Sequence, residues 1–453
     1  MRERIRAALE AAKADYAEIR IHRGRETHVH YVGKELESIG ESTGCGGCVR
    51  ALVRGGWGFA SFNSLDDLER YVEMACRQAA LVRRREIRLA PVSVSCDSTR
   101  LLYGTDPAEM TLSDKEALTR KYNDLIRNAP GVQASIASYQ DTHGTVILAN
   151  TEGAYIEQEV VFCGIHVGAV AVDGTNVQQA HESVADLRGL ETVEKREALC
   201  EQVARRAVDL LSAEPMKGGQ YSVVLDPKLA GVFAHEAFGH LSEADFIYEH
   251  DELKALMKIG RRFGEDFLSI VDDPTLPGEA GSYLYDSEGT PACRTYLIQN
   301  GVLRARLHSR ETAAKMNEQP TGNARALGHN YPPIVRMSNT FIEPGEWTFE
   351  QILEGIDEGV YACGMLGGMT DMEMFTFTAA DAYMIRNGRL AERRRDVMLT
   401  GNVFDTLRNI EAVGNDLMFY GGLGGCGKGG QAPLRVSTGG PHVRIRNVVI
   451  GGR

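Results

Sequence analysis

His235, Glu236 and His240 stand together in the run Tyr221-SVVL-Asp226-Pro227-KLAGVFA-His235-Glu236-AFG-His240-LSEAD. Two imidazoles flanking an acid suit metal-assisted hydrolysis: the rings hold a divalent ion and the carboxylate moves a proton of water. The familiar helical zinc motif spaces its histidines four apart, about 40° around the helix, so that both rings reach one ion. Here the spacing is five, about 140° on a regular helix, so the helix must loosen into a π-type turn or end near His240. Gly239 makes either easy. A catalytic zinc site needs a third protein ligand beside its water. Glu243, Asp245 and His250 are near in sequence, while Cys426 lies far off in the glycine-rich GGCGKGGQ turn, where little but backbone surrounds a thiolate.

The elements that must position these groups can be read from the flanking residues. YSVVL reads as a buried strand, and Asp226 followed by Pro227 is a helix N-cap with proline at the first helical position, which puts both histidines on a helix. Residues 216–453 are strand-rich, with Asn-Gly turns between apolar runs in TYLIQNGVLRARL and AYMIRNGRLAERR that predict two hairpins. Upstream, residues 1–90 predict a helix with Ile5, Leu9, Ala12 and Tyr16 on one face, strands at Ala17–Ile21, Thr27–Val32 and Cys48–Val53, and a helix from Leu65 to Ala80. Residues 91–215 predict a helix opening on a Ser113/Glu116 capping box, strands at Gln133–Tyr139, Thr145–Leu148 and Tyr155–Val170, and a long helix from Thr192 to Leu211. Breaker-rich SAEPMKGGQ closes that unit. The expected class is α+β, with mixed and antiparallel sheets, flanking helices, and a strand-rich C-terminal domain carrying the zinc-binding helix.

The 453 residues carry a net charge of −12, which argues against nucleic acid as a main partner. A charged amphipathic start and the lack of any apolar run of about 18 residues predict a cytoplasmic protein that does not enter membranes. Nine cysteines, an odd number spread thinly, suit reduced thiols better than a disulfide framework. Three other patterns compete for attention. GLGGCGK mimics a phosphate loop, yet Gly429, Gly430 and Pro433 forbid the helix that such a loop needs. His28, His30, Cys45 and Cys48 could form a second zinc site, although the glycines between the cysteines suit a plain turn. Arg83–Arg85 and Arg393–Arg395 read as solvated faces.

HEAFGHLSEAD, DDPTLPGEAGSYLYDSEGTPA, TGNARA followed by PPIVRMSNTFIEPG, and CGKGGQAP together resemble the TldD/PmbA family, specifically its TldD-type zinc metalloproteases. The likeness is close over residues 220–453 and holds in outline before them. It implies that His235, His240 and Cys426 hold zinc, and that Glu236 acts on the water. PmbA-type partner subunits lack these metal residues, whereas this chain has all four. The resemblance further implies substrates that are small peptides or unfolded, nicked polypeptides, taken as extended strands in a chamber enclosed by two subunits. The partner would be a PmbA-type paralogue, or a second copy of the chain. Two other functions remain open at this level: a gyrase-modulating regulatory subunit with structural zinc, and an amidohydrolase acting on small non-peptide amides.

Overall fold

In the computed structural model, which describes residues 1–82 and 87–451, the chain from Tyr16 to Asp186 is dominated by long strands. They are β1 (Tyr16–Val32), β2 (Glu35–Val53), β3 (Gly56–Phe62), β4 (Cys96–Leu101), β5 (Val132–Asn150), β6 (Tyr155–Asp173) and β7 (Asn176–Asp186). One seven-stranded sheet holds them in the order β3-β2-β1-β5-β6-β4, with β7 also on β6. All neighbours are antiparallel except β4 and β6. A boundary near residue 90 divides the elements in sequence, but the β1–β5 pairing carries the sheet across it.

Side chains alternate across a strand, so each long strand serves two neighbours. Ile19, Ile21, Val49 and Ala51 bury one face beneath α1 (Arg2–Glu10) and α2 (Leu68–Leu81). Further along the same face, Val29, Tyr31, Tyr139, Ile165 and Val167 pack beneath α3 (Leu112–Arg127), α4 (Leu190–Val193) and α5 (Glu197–Ser212). The other face carries Glu18, Arg20 and Arg50 and meets the C-terminal half. There Arg50 is ion-paired to Glu18 at 3.1 Å and to Glu288 at 2.5 Å, and Arg310 forks onto Glu152 at 2.8 Å through both terminal nitrogens.

Several expected elements change shape. The pieces expected at residues 17–21 and 27–32 are one strand, as are those at 133–139 and 145–148, because the polar residues between them are paired rather than turned: Arg25 with Glu41, Asp141 with Lys115, His143 with Glu159, and Thr142 with Arg435 of the C-terminal half. Tyr16 opens β1 instead of extending α1. The α3 cap is Thr111, whose hydroxyl accepts the Asp114 N–H, and Glu116 is diverted to the Tyr31 hydroxyl on β1. The long helix expected at 192–211 is broken by Lys195, whose φ of 57° no helix tolerates.

In the C-terminal half, β8 (Glu214–Pro215) and β9 (Gly219–Leu225) join a ten-stranded mixed sheet. β9 runs parallel to Glu358–Cys363 and antiparallel to Val443–Gly451. A second sheet, of six strands, is centred on Ile270–Asp272, Asn339–Ile342 and Ser437–Gly440. Both Asn-Gly hairpins form, with positive φ at Asn300–Gly301 and Asn387–Gly388 as expected of their turns. Arg393–Arg395 lie on a strand and are paired rather than merely solvated: Arg393 bonds Asp381 and Asp209, and Arg394 bonds Glu214 and Glu392. Arg83–Arg85 lie outside the described residues. Among the described residues no helix is long and apolar enough to cross a membrane.

Between the two sheets runs α6 (Pro227–Phe233). Asp226 Oδ1 accepts the Leu229 N–H at 2.8 Å and Pro227 takes the first helical position, as the sequence requires. Leu229, Phe233, Ala234, Ala237 and Phe238 share one apolar core with Val223 and Leu225 of the larger sheet and Ile270 and Ile342 of the smaller. A Cβ on Gly231 would sit 2.6 Å from the Gly439 backbone nitrogen, so glycine is what lets the helix approach its sheet. Wedged this way, the histidine-bearing helix has little freedom to shift.

Candidate metal centre

Past Phe233 the helix widens into a π-turn over Ala234–Gly239 and then tightens into a 3-10 turn over His240–Ser242. This is the loosening that a five-residue spacing demands. It turns the His235 and His240 rings toward each other, with centroids 5.3 Å apart at 83°. Gly239 closes the turn where a Cβ would lie 2.0 Å from Met337 Sδ.

The third member arrives from the far end of the chain. Cys426–Lys428 pairs antiparallel with Gln431–Leu434 around Gly429 and Gly430, both at positive φ. GGCGKGGQ is therefore a tight hairpin and no phosphate loop. Cys426 is buried, not exposed in a turn, and its Sγ stands 3.3 Å from His240 Nε2. One ligand atom each from His235, His240 and Cys426 fall within 4.8 Å of one another, and no other such group occurs among the described residues. The alternative near His28 is absent: His28 and His30 face Gly40 and Ser38 across β1–β2, while Cys45 and Cys48 face Arg23 and Arg20 further along.

Charge holds the cluster together. Burial would raise the Cys426 thiol, but the two histidines outweigh it and pull it down to about 4, so the sulfur is a thiolate at neutral pH. Burial would lower both imidazoles, yet Cys426 raises His235, and Glu243 with Cys426 pushes His240 up to about 11. His235 Nδ1 is buried without a hydrogen-bond partner, which fits an atom meant for an ion. Two imidazoles and one thiolate are a borderline-soft set suited to zinc.

Glu243 is not part of the cluster. Its Oε2 bonds His240 Nδ1 at 3.0 Å and Lys428 Nζ at 3.0 Å, and these two cations overcome its burial to hold it at about 2. Asp245 binds Lys428 at 2.7 Å and accepts the Val335 N–H, and His250 packs on Phe246. The carboxylate behind His240 fixes which ring nitrogen is free to bind. Sequence reasoning missed two further supports. Lys428 ties the Cys426 hairpin to Glu243 and to the Val335 carbonyl. Fully buried Arg336 donates to the carbonyls of Cys426 at 2.7 Å and Gln431 at 3.1 Å, bracing both strands of that hairpin. An arginine inside PPIVRM gives no local sign of reaching residue 426. Glu243→Gln and Lys428→Met should each weaken metal binding by about 10 to 100-fold, measured by competition with a chromophoric chelator. Unchanged affinity in both variants would reduce these residues to packing.

Glu236, one residue past His235, is partly buried and its Oε2 lies 3.9 Å from His240 Nε2. A proton-accepting group thus stands at the rim of a candidate metal site.

A wedged helix, an ion-sized cluster of two imidazoles and a thiolate, and an acid at its edge define a metal-site protein of the hydrolase kind. Comparison with known proteins agrees: the chain belongs to the PmbA/TldA metallopeptidase family, whose first, central and C-terminal domain models match residues 17–79, 105–211 and 218–452. A metalloprotease of Synechocystis sp. is 46% identical over 443 residues, 97% of this chain and 96% of that one. A Methanothermobacter thermautotrophicus metalloprotease is 38% identical over 447 residues, again 97% and 96% of the two chains. A zinc metalloprotease TldD homolog of Saccharolobus solfataricus is 31% identical over 343 residues, covering 73% and 76%. The same fold recurs in TldE from Thermococcus kodakarensis, with TM-score 0.78 and 19% identity over the full length of both chains. It recurs too in a Thermotoga maritima protein described as a candidate modulator of a DNA gyrase, with TM-score 0.82 and 22% identity over 99% of this chain and 100% of that one.

Proposed function

We propose that the chain is a zinc-dependent peptidase in which His235, His240 and Cys426 hold the ion and Glu236 is the general base. The observation that carries this reading is the meeting of those three ligand atoms beside an acid that is not one of them. When bound, the ion supplies Lewis acidity that polarises a scissile carbonyl and makes water easier to deprotonate. Glu236 takes a proton from the attacking water and returns it to the leaving amine. Glu243 and Lys428 hold His240 and the Cys426 hairpin in register while this happens. Structural zinc sites close all four positions with protein ligands, and the engagement of Glu243 by His240 and Lys428 argues against that arrangement here.

Substrates in this reading are small peptides or unfolded, nicked polypeptides. The working form is a cytoplasmic dimer, with a PmbA-type paralogue or a second copy as partner. The test is metal analysis joined to a peptide-digest assay, on the chain alone and with a candidate partner. Cys426→Ser should drop zinc from about one per chain to near none and abolish cleavage. Binding should also release protons, because His240 keeps its proton to about 11 without metal and must lose it to become a ligand. Zinc affinity therefore rises with pH through neutrality, read by calorimetry in buffers of differing ionisation enthalpy. Full zinc retention by Cys426→Ser would remove the thiolate from the ligand set.

A further inference from the structure

A cleft of about 970 Å³ lies between the open face of the N-terminal sheet and the C-terminal half. Its floor has a bare strip, since Gly44, Gly24 and Gly144 sit side by side on β2, β1 and β5. Backbone there is open to close approach by a ligand. Leu434, the partner of Cys426 in its hairpin, forms part of the wall, so the cleft adjoins the metal centre.

Three arginines, Arg20, Arg325 and Arg435, line this cleft in a chain whose net charge is −12, and none forms an ion pair with a carboxylate among the described residues. Arg20 is 1% exposed and gives Nη2 to the Tyr331 carbonyl, leaving Nε and Nη1 buried with no hydrogen-bond partner among the described residues. Among the described residues Arg435 bonds only the Thr142 hydroxyl, with its guanidinium 4.0 Å from the Phe162 ring centroid. Arg325 donates to two carbonyls. Of the acids at the walls, Asp286 is occupied by the N–H groups of Glu288, Thr290 and Ala324, which leaves Glu26 against three cations. Burial, relieved only in part by Glu26, pulls Arg435 down to about 10. Unpaired guanidinium groups are costly to bury, and planar forks of this kind match carboxylates.

We propose that this cleft docks a carboxylate-bearing segment of the substrate, either an acidic side chain or a free C-terminus, through Arg20, Arg325 and Arg435. The inference deepens the peptidase reading and rests on it for the cleavage step after docking. It adds a preference for negative charge to a site otherwise expected to read only extended backbone.

The test uses the full-length Glu236→Gln chain and fluorescent peptides in matched sets: glutamate against glutamine, and a C-terminal acid against its amide. Anisotropy should show at least tenfold tighter binding of peptides bearing the recognised carboxylate, weakening as salt rises. Whichever neutralisation removes the advantage identifies its source. Arg435→Gln should erase most of the discrimination, and Arg20→Gln should reduce it at least threefold, with metal content unchanged in both. Equal binding of charged and fully neutral peptides, undiminished discrimination in both variants, or tighter binding of a labelled oligonucleotide than of any peptide would defeat the proposal. Cleavage by the wild-type chain separates the two readings. Selective binding without cleavage leaves the anion site standing and removes the peptidase, while cleavage indifferent to charge does the reverse.

Discussion

Replacing Glu236 with glutamine should lower peptide hydrolysis by about 10² or more and leave the metal in place. The substitution preserves length and hydrogen bonding while removing only the capacity to accept a proton. The carboxylate is partly exposed: among the described residues its one ion pair is with His240, at the long distance of 3.9 Å, and its charge also favours the protonated His235 ring. A change in zinc content would imply that Glu236 is a ligand. Near-normal turnover with zinc retained would mean that another group handles the proton. Steady-state kinetics and metal analysis on the same preparation distinguish these outcomes.

A second large effect is expected far from the metal, where the two halves of the molecule meet. Arg50 lies between Glu18 and Glu288, with both carboxylates only 1% exposed, and its guanidinium stacks 4.2 Å from the Trp57 ring centroid. Arg50→Met keeps the apolar stem and removes the one cation the pair shares, so two buried acids face each other. Breaking a buried ion pair from one side costs about 3 to 5 kcal/mol. Denaturant titration should show that loss, and adding Glu18→Gln with Glu288→Gln should recover much of it, because no unpaired charge then remains. If Arg50→Met alone is as stable as the parent chain, the interface does not rely on this network.

Much of the centre could be read from sequence, and for physical reasons. Asp226-Pro227 is a local signal that does not depend on the rest of the chain, and the mismatch between a five-residue spacing and a helical turn demanded an irregular helix whatever surrounded it. Cys426 lies 186 residues from His240, and no pattern near either residue encodes their meeting. Its glycine-rich turn makes it one candidate among several, and only the resemblance singles it out. Arg336 and Lys428 act by bonding backbone or second-rank carboxylates, roles open to any arginine or lysine, so their types announced nothing. The long strands look like fragments in sequence because their middles, such as GRET in β1, carry no apolar alternation. One face of those stretches, Gly24 and Glu26 in β1, lines the polar cleft, while Thr27 on the other meets Lys115 of α3.

The strict division of labour between the faces of β1, β2, β5 and β6 makes these strands sensitive to the parity of any change in length. A single inserted residue in β1 would exchange Arg20 for Ile19, placing an aliphatic group in the polar cleft and a cation under α1. Two inserted residues would restore the faces and shift only the pairing. Register irregularities between β1 and β2 and between β5 and β6 fall at His30/Tyr31 and Val132/Ala134, at the end of the sheet away from Arg50 and Glu288. Length variation among relatives should therefore gather at that end, in even steps or absorbed by bulges, while the stretch facing the cleft stays fixed in phase.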